Sequence, residues 1–369
     1  MASSISEKIL RFIQTVDMAE FDDGVYNKLA LELFAQQFGR NAVYRGLCLQ
    51  QNLAPDLIAD WRDIPAVTTS AFKEVPLTCF PVAAAIAVFH TSGTTQKRSG
   101  KHYFRTLDLY RAAMLRSFAE FCLAPYKKMR LLFLGPTAEC FPNSSLGYMF
   151  SELRDEFGDE HSASFFSPAG IDTAALQNAL ENANRENAPV FILGTALALL
   201  EGMEIFQRQN RTVKLPGGSR ILDTGGYKGR QVEITREEFQ HRLGATFGVP
   251  REYLLNEYGM TELSSQFYES AIPENAFAMR HAPRALRSAH FAPSWVRVAA
   301  VDPETLAVLP NGEIGLLRIF DLANVDSVMA IQTEDLGRAW QDRLELLGRA
   351  SGAELRGCSL LTEMIAQNT

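Results

Sequence analysis

His90-Thr91-Ser92-Gly93-Thr94-Thr95-Gln96-Lys97-Arg98-Ser99-Gly100 packs hydroxyls, small residues and two cations onto one short segment. That mixture suits a polyphosphate. Gly93 and Gly100 would let backbone N–H groups approach an anion, Ser92, Thr94 and Thr95 add hydroxyl donors, and Lys97 and Arg98 add countercharge. A Walker loop is excluded, because six residues separate Gly93 from the Gly100-Lys101 pair and His102 stands where Ser or Thr is required. Taken alone, the segment also fits a solvated Ser/Thr turn. Three further clusters follow: Asn256-Glu257-Tyr258-Gly259-Met260-Thr261-Glu262, Thr333-Glu334-Asp335-Leu336-Gly337 and Gly348-Arg349. Singly, each of the last two reads as a turn with a satisfied acid or a surface arginine; order and spacing relative to the first loop carry the signal.

The elements that must position these clusters follow from hydrophobic periodicity. Ile9, Leu10, Ile13, Leu29, Leu31, Leu33 and Phe34 recur at helical spacing, so residues 1–80 form a helical entry region. Over 81–290, strand and helix alternate. Val82 to Phe89 reads as a buried strand leading into the loop. Leu107 to Phe121 and Thr173 to Asn184 read as helices, as does Arg236 to Phe247 with Thr235 and Glu238 placed as a capping box. Arg130 to Leu134, Val190 to Leu193, Arg220 to Leu222 and Tyr253 to Asn256 read as strands. This alternation predicts an α/β fold of layered, mainly parallel sheets with flanking helices. Over 291–349, Trp295 to Val301, Ile314 to Leu322 and Val328 to Gln332 predict a small β-rich lobe, and 350–369 is a short tail.

The chain has 369 residues, 47% of them hydrophobic and 21% charged, with a net charge of −7. No basic run is present, which argues against nucleic acid as partner, so an acidic ligand must meet a local cationic site. The apolar stretches Val82 to Phe89 and Ala188 to Leu200 fall short of the ~18 residues of a membrane span, and the first residues lack the pattern of a secretory signal. The expected location is the cytoplasm. Five cysteines are scattered without a Cys-x-x-Cys pair, giving no zinc framework. Cys48, Cys79, Cys122 and Cys140 lie among apolar neighbours and read as core; Cys358 does not.

In their order, the Thr-Ser-Gly-Thr-Thr loop, Tyr258-Gly259-Met260-Thr261-Glu262, Thr333-Glu334-Asp335 and Gly348-Arg349 resemble the acyl-adenylate-forming superfamily. Within it the chain is most similar to the LuxE-like acyl-protein synthetases, which supply acyl groups to the fatty-acid reductase of bacterial luminescence. Ile64-Pro65-Ala66-Val67, Thr69-Ser70-Ala71-Phe72-Lys73, Thr224-Gly225-Gly226-Tyr227-Lys228-Gly229 and Ile331 to Gly337 carry that closer likeness, which runs from about residue 25 to the C-terminus. The resemblance implies the superfamily's N-terminal-domain fold, ATP and Mg²⁺ as cofactors, and a carboxylic acid, most simply a fatty acid, as substrate. It also implies roles. Thr91, Ser92, Gly93, Thr94 and Thr95 would bind ATP phosphates with Lys97 as their cation, Glu262 would hold Mg²⁺, and Thr261 would lie beside the α-phosphate. Asp335 would accept hydrogen bonds from the ribose, with Arg349 close to the same sugar. Gly225 and Gly226 would let the chain pass flat against adenine, with Tyr258 and Gly259 on the base.

Two departures stand out. Gln96 replaces the Gly with which superfamily members usually continue. Only 20 residues follow Arg349, so the superfamily's mobile C-terminal domain, with its lysine and its coenzyme A face, is expected to be missing. Lys228 is then a candidate cation for the α-phosphate, against the plainer role of a surface lysine. The resemblance also makes Cys358 an acyl acceptor that takes the acyl group as a thioester and passes it to a partner protein, a reductase subunit or a carrier. Arg349 and Arg356 could lower its pKa; the plainer role is a small hydrophobe anchoring the tail. A coenzyme A ligase resembling phenylacetate ligases, and a catalytically silent scaffold subunit, remain as alternatives.

Overall fold

The helical spacing of the N-terminal region resolves into Ile5–Thr15, Asp23–Arg40 and Ala42–Gln50 in a computed structural model that describes residues 3–91, 99–208, 213–225, 234–269 and 289–350. Local chemistry sets where each helix starts. Ser4 and Glu7 close a reciprocal capping box, Asp22 accepts from the Gly24 and Val25 N–H groups, and Asn41 accepts from Tyr44 N. The chain divides into two units, Met1–Arg116 with Met260–Phe267 and Arg284–Thr369, and Ser117–Gly259 with Tyr268–Pro283.

In the first unit the helices pack on an antiparallel meander of Val296–Val301, Ile314–Asp321, Ala330–Trp340 and Arg343–Arg349. Ala289–Phe291 pairs with the start of the last strand, and Val67–Thr68 lies parallel to Ile331 and Gln332. The Tyr26 hydroxyl donates to Phe320 O at 2.8 Å, and Trp61 sets its ring edge on Phe320 with centroids 4.8 Å apart. Thr333 to Gly337 is not a turn but the middle of the strand Ala330–Trp340, with a bulge between Leu336 and Gly337. The acidic side chains there made a strand look like a loop.

The segment Val82 to Phe89 is not a buried strand either. Pro81 opens a short turn over Val82–Ala84 and only Ala87–His90 is extended, pairing antiparallel with Lys101–Phe104 as an isolated two-stranded hairpin. Val82 and Ile86 are exposed. Both precede the ribbon, in which only one face, that of Phe89, His102 and Phe104, is buried.

The second unit is built on a parallel sheet in the order Leu254–Tyr258, Arg220–Thr224, Val190–Thr195, Arg130–Leu134 and Ala163–Ser164. Its central strands Arg130–Leu134 and Val190–Thr195 are mainly apolar and almost wholly buried, as strands covered on both faces must be. Helices Ser145–Phe157, Thr173–Glu186, Ala196–Arg208 and Arg236–Phe247 alternate with them. The apolar run from Ala188 to Leu200 is split: Thr195 ends the strand and its hydroxyl accepts from Ala198 N, opening the helix that follows. Thr235 does cap the last helix, accepting from Glu238 N at 3.1 Å. Among the described residues no helix is long and apolar enough to cross a membrane.

Gln37 ties helix to meander. Its amide donates to Asn324 O at 2.8 Å and accepts from Met329 N at 3.0 Å, fully buried. Gln37→Leu should orphan both groups and destabilise the protein by about 1–3 kcal/mol for each, read as a lower urea midpoint with unchanged slope.

Candidate active site

In the first unit the hairpin that carries the hydroxyl-rich loop is closed by backbone bonds at its base. Thr91 N donates to Gly100 O at 2.9 Å, and Gly100 N donates to the Thr91 hydroxyl at 2.8 Å. A Cβ on Gly100 would sit 3.0 Å from Thr91 Cγ2, a tight contact that the Thr91 side chain would have to yield to. The Gly100 N–H is therefore turned to Thr91 rather than offered to an anion. Ser92, Gly93, Thr94, Thr95, Gln96, Lys97 and Arg98 lie outside the described residues, as do Gly226, Lys228 and Cys358.

The same hairpin is bonded to Thr261. The Thr261 hydroxyl donates to His90 O at 3.4 Å, and His102, opposite Phe89 in the hairpin register, places Nδ1 2.7 Å from Thr261 O. His102 is buried, with Phe72 and Phe104 against its ring, and burial pushes its pKa down to about 4 against the hydrogen bonds to Thr261 and Asn324 that would raise it. The ring is neutral near pH 7, and because a carbonyl oxygen only accepts, its proton is on Nδ1. Glu262 is buried one residue on, and its carbonyl accepts from Asn324 Nδ2 at 2.9 Å. Among the described residues no cluster of three or more His, Cys, Asp or Glu could hold a metal. A single carboxylate such as Glu262 still fits Mg²⁺, which takes one or two protein carboxylates and keeps phosphate and water ligands.

Asp335 and Arg349 are register partners across the last two strands, with an ion pair of 3.3 Å. Asp335 N donates to the Thr333 hydroxyl, which in turn donates to Leu317 O. Arg349 is 57% exposed, so the pair itself adds little stability and the guanidinium keeps its access to solvent.

In the second unit Gly225, Tyr258 and Gly259 meet at the carboxyl ends of two adjacent parallel strands, where Thr224 pairs with Glu257. This is the edge where open α/β sheets bind ligands. Gly225 has a φ of +73°, a conformation that favours glycine. Just inside the edge is a buried acidic cluster that joins Glu257 to Asp223 and Glu269, neither of which the sequence patterns singled out. Asn256 Nδ2 donates to Asp223 at 2.6 Å, the Thr224 hydroxyl donates to Glu257, and Arg236 pairs with Glu269 at 2.7 Å. Burial raises Asp223 to about 6 and Glu257 and Glu269 each to about 7. The signal available in sequence was the pair of acids next to Thr224-Gly225 and Tyr258-Gly259, one step before each motif.

Further polar and aromatic side chains lie elsewhere. His161 is exposed in a turn, 3.9 Å from Glu160, and His241 lies on the exposed face of its helix. Ser144 caps the helix Ser145–Phe157 by accepting from Gly147 N. Phe165 belongs to the core around Leu132, Leu176 and Ile192, while Phe166 packs partly buried on Phe141. Of the cysteines read as core, Cys48 and Cys122 are buried, Cys79 is half-buried and Cys140 is exposed. Cys140 follows a strand on a loop, where apolar neighbours in sequence do not close over it.

Solved structures with this fold define the class. The chain is similar to 2-hydroxyisobutyryl-CoA ligase in complex with 2-HIB-AMP and CoA, with a TM-score of 0.62 and 14% identity over 90% of this chain and 70% of that one. It is also similar to ATP-bound MatB from Rhodopseudomonas palustris, with a TM-score of 0.51 and 17% identity over 73% of this chain, and it spans about half of MatB, 49%. The fold is that of the adenylate-forming ligases. More narrowly, the family model described as acyl-protein synthetase, LuxE, matches residues 13–366, and the chain belongs to that family. Two relatives carry the name long-chain-fatty-acid–luciferin-component ligase. The one from Aliivibrio fischeri is 24% identical over 93% of this chain and 89% of its own length, and the one from Vibrio harveyi is 23% identical over 90% and 86%.

The buried Glu257 gives a pH signature. Its folded pKa of about 7 lies above the ordinary 4.5, so the stability it contributes is fully present below 4.5 and is lost as pH rises through about 7. Glu257→Gln should flatten that part of the decline, measured as urea midpoints from pH 4.5 to 8.

Proposed function

We propose that the protein is an ATP- and Mg²⁺-dependent acyl-protein synthetase acting on a long-chain fatty acid. Membership of the acyl-protein synthetase family supports the reaction class, and the relatives' names support the fatty acid. The observation that carries the reading to particular residues is the bonding of the loop-bearing hairpin to Thr261, the neighbour of Glu262, through His90 and His102. It brings the base of the hydroxyl-rich loop together with the residues expected at the α-phosphate and the metal.

The reaction needs little covalent help from the protein. A carboxylate oxygen attacks the α-phosphorus, the bond to the β-phosphate oxygen breaks, and acyl-AMP and pyrophosphate result. Alignment and charge neutralisation supply the acceleration. Ser92, Thr94, Thr95 and Lys97 receive the phosphates, Thr261 lies beside the α-phosphate, and Lys228 supplies a further cation. Glu262 holds the Mg²⁺, which when bound neutralises phosphate charge and polarises the attacked phosphorus. Asp335 accepts from the ribose hydroxyls with Arg349 beside it, and Gly225, Gly226, Tyr258 and Gly259 flank the base. In the second step the Cys358 thiolate attacks the acyl carbonyl, the bond to the phosphate oxygen breaks, and AMP leaves. The thioester then passes to a thiol of an acyl-accepting protein.

Fatty-acid-dependent exchange of pyrophosphate into ATP tests the first step. Exchange should appear with a long-chain acid, be absent without acid, and fall on the order of 100-fold in Glu262→Gln. No exchange with any of a broad panel of acids would favour a scaffold role.

Cys358→Ala tests the second step separately. It should leave exchange intact and abolish the hydroxylamine-sensitive acyl adduct seen by mass spectrometry. Full turnover by Cys358→Ala with coenzyme A as acceptor would instead mark a coenzyme A ligase.

A further inference from the structure

We propose that His102 and Asn324 are positioning residues for adenylation, holding the consecutive carbonyls of Thr261 and Glu262 so that this turn is fixed against the hairpin that ends at His90 and Lys101. The inference rests on the adenylation reading and extends it to two side chains outside the recognised motifs. His102 Nδ1 is 2.7 Å from Thr261 O, and Asn324 Nδ2 is 2.9 Å from Glu262 O. Each is itself held in place. His102 is a hairpin residue paired with Phe89, edge-on to Phe72 at 5.7 Å. Asn324 also donates to Val328 O at 2.9 Å, and its own carbonyl accepts from Gln37.

The chain thereby gains a connection that neither motif supplies alone. The Thr261 hydroxyl reaches back to His90 O, while His102, from the other strand of the hairpin, reaches Thr261 O. One residue of the turn is thus gripped by both strands of the hairpin. The next residue, Glu262, is gripped by Asn324, so its position is set relative to the same hairpin. Packing does not explain the placement of His102 by itself. Its ring packs on Phe72 and Phe104 and borders a cavity of about 170 Å³ lined also by Tyr110, Ser264, Asn324 and Val325, and the hydrogen bond to Thr261 fixes the direction of Nδ1. An aliphatic residue of similar size would fill the space and leave Thr261 O without this donor.

Two substitutions separate the donor from the bulk. His102→Asn can offer an amide N–H near the place of Nδ1, whereas His102→Leu keeps volume and removes the donor. In fatty-acid-dependent pyrophosphate exchange, His102→Leu should lower kcat by about tenfold or more with the KM for the acid within about threefold, and His102→Asn should recover most of the loss. Asn324→Asp, which loses the donor to Glu262 O, should show the same split, and it serves should His102→Leu fail to fold. Amide hydrogen exchange of the peptide spanning Met260 to Leu263 should quicken in His102→Leu and Asn324→Asp but not in His102→Asn. Equal loss in His102→Asn and His102→Leu, or unchanged kcat and protection in His102→Leu and Asn324→Asp, would overturn the proposal. If the unaltered protein supports no exchange with any acid, the adenylation reading fails on that result, and the hydrogen-exchange comparison still decides whether His102 and Asn324 hold the turn.

Discussion

A buried stretch of chain outside regular structure must have every polar group satisfied, and the first unit depends on how Asp321 to Val328 meets that demand. Asp321, Asn324 and Ser327 are all buried there. Asp321 accepts from Ser264 N, Ser265 Oγ and Ala323 N; Asn324 serves Glu262 O and Val328 O; Ser327 donates to Leu77 O; and Gln37 closes the segment from the helical side. Even with these bonds, burial lifts Asp321 to about 6. One irregular segment thus joins the entry helices, the turn at Thr261 and Glu262, and the meander that carries Asp335 and Arg349. The indole N–H of Trp295 extends the network by donating to Ser265.

The second unit solves a different problem. Its central strands are covered on both faces, and Gly225, Tyr258 and Gly259 lie at the carboxyl edge. Behind them, Asp223, Glu257 and Glu269 are carboxyls whose burial favours the protonated form. In the bonds that hold them each of these carboxyls accepts: Asp223 from Asn256, Glu257 from the Thr224 hydroxyl and Glu269 from Arg236.

Composition along the chain and environment in space part company at three places. Val82 to Phe89 has the composition of a core strand but is split between an exposed turn and a short ribbon buried on one face, and Thr333 to Gly337 has the composition of a turn but is held inside a strand by its neighbours. Cys140 sits among apolar residues in sequence and is exposed in space. In each case burial was inferred from neighbours along the chain, while it is set by neighbours across it. The helix Arg236–Phe247, the strand Arg130–Leu134 and the parallel character of the second unit's sheet were legible because periodicity, capping and the alternation of strand with helix are local. The strand Arg343–Arg349 went unseen, its alternation interrupted by Leu346 and Leu347 side by side.

By itself, the sequence determined the family, the order of the motifs, and the chemistry that their residue types allow, since these depend on identity and spacing along the chain. Tertiary structure alone decided which side chains hold those motifs. His102 and Thr261 are 159 positions apart, and Asn324 and Glu262 are 62 apart. No local pattern encodes a hydrogen bond at such a separation; it exists because the hairpin, the turn and the buried segment before Val328 are folded against one another and each carbonyl must find a donor.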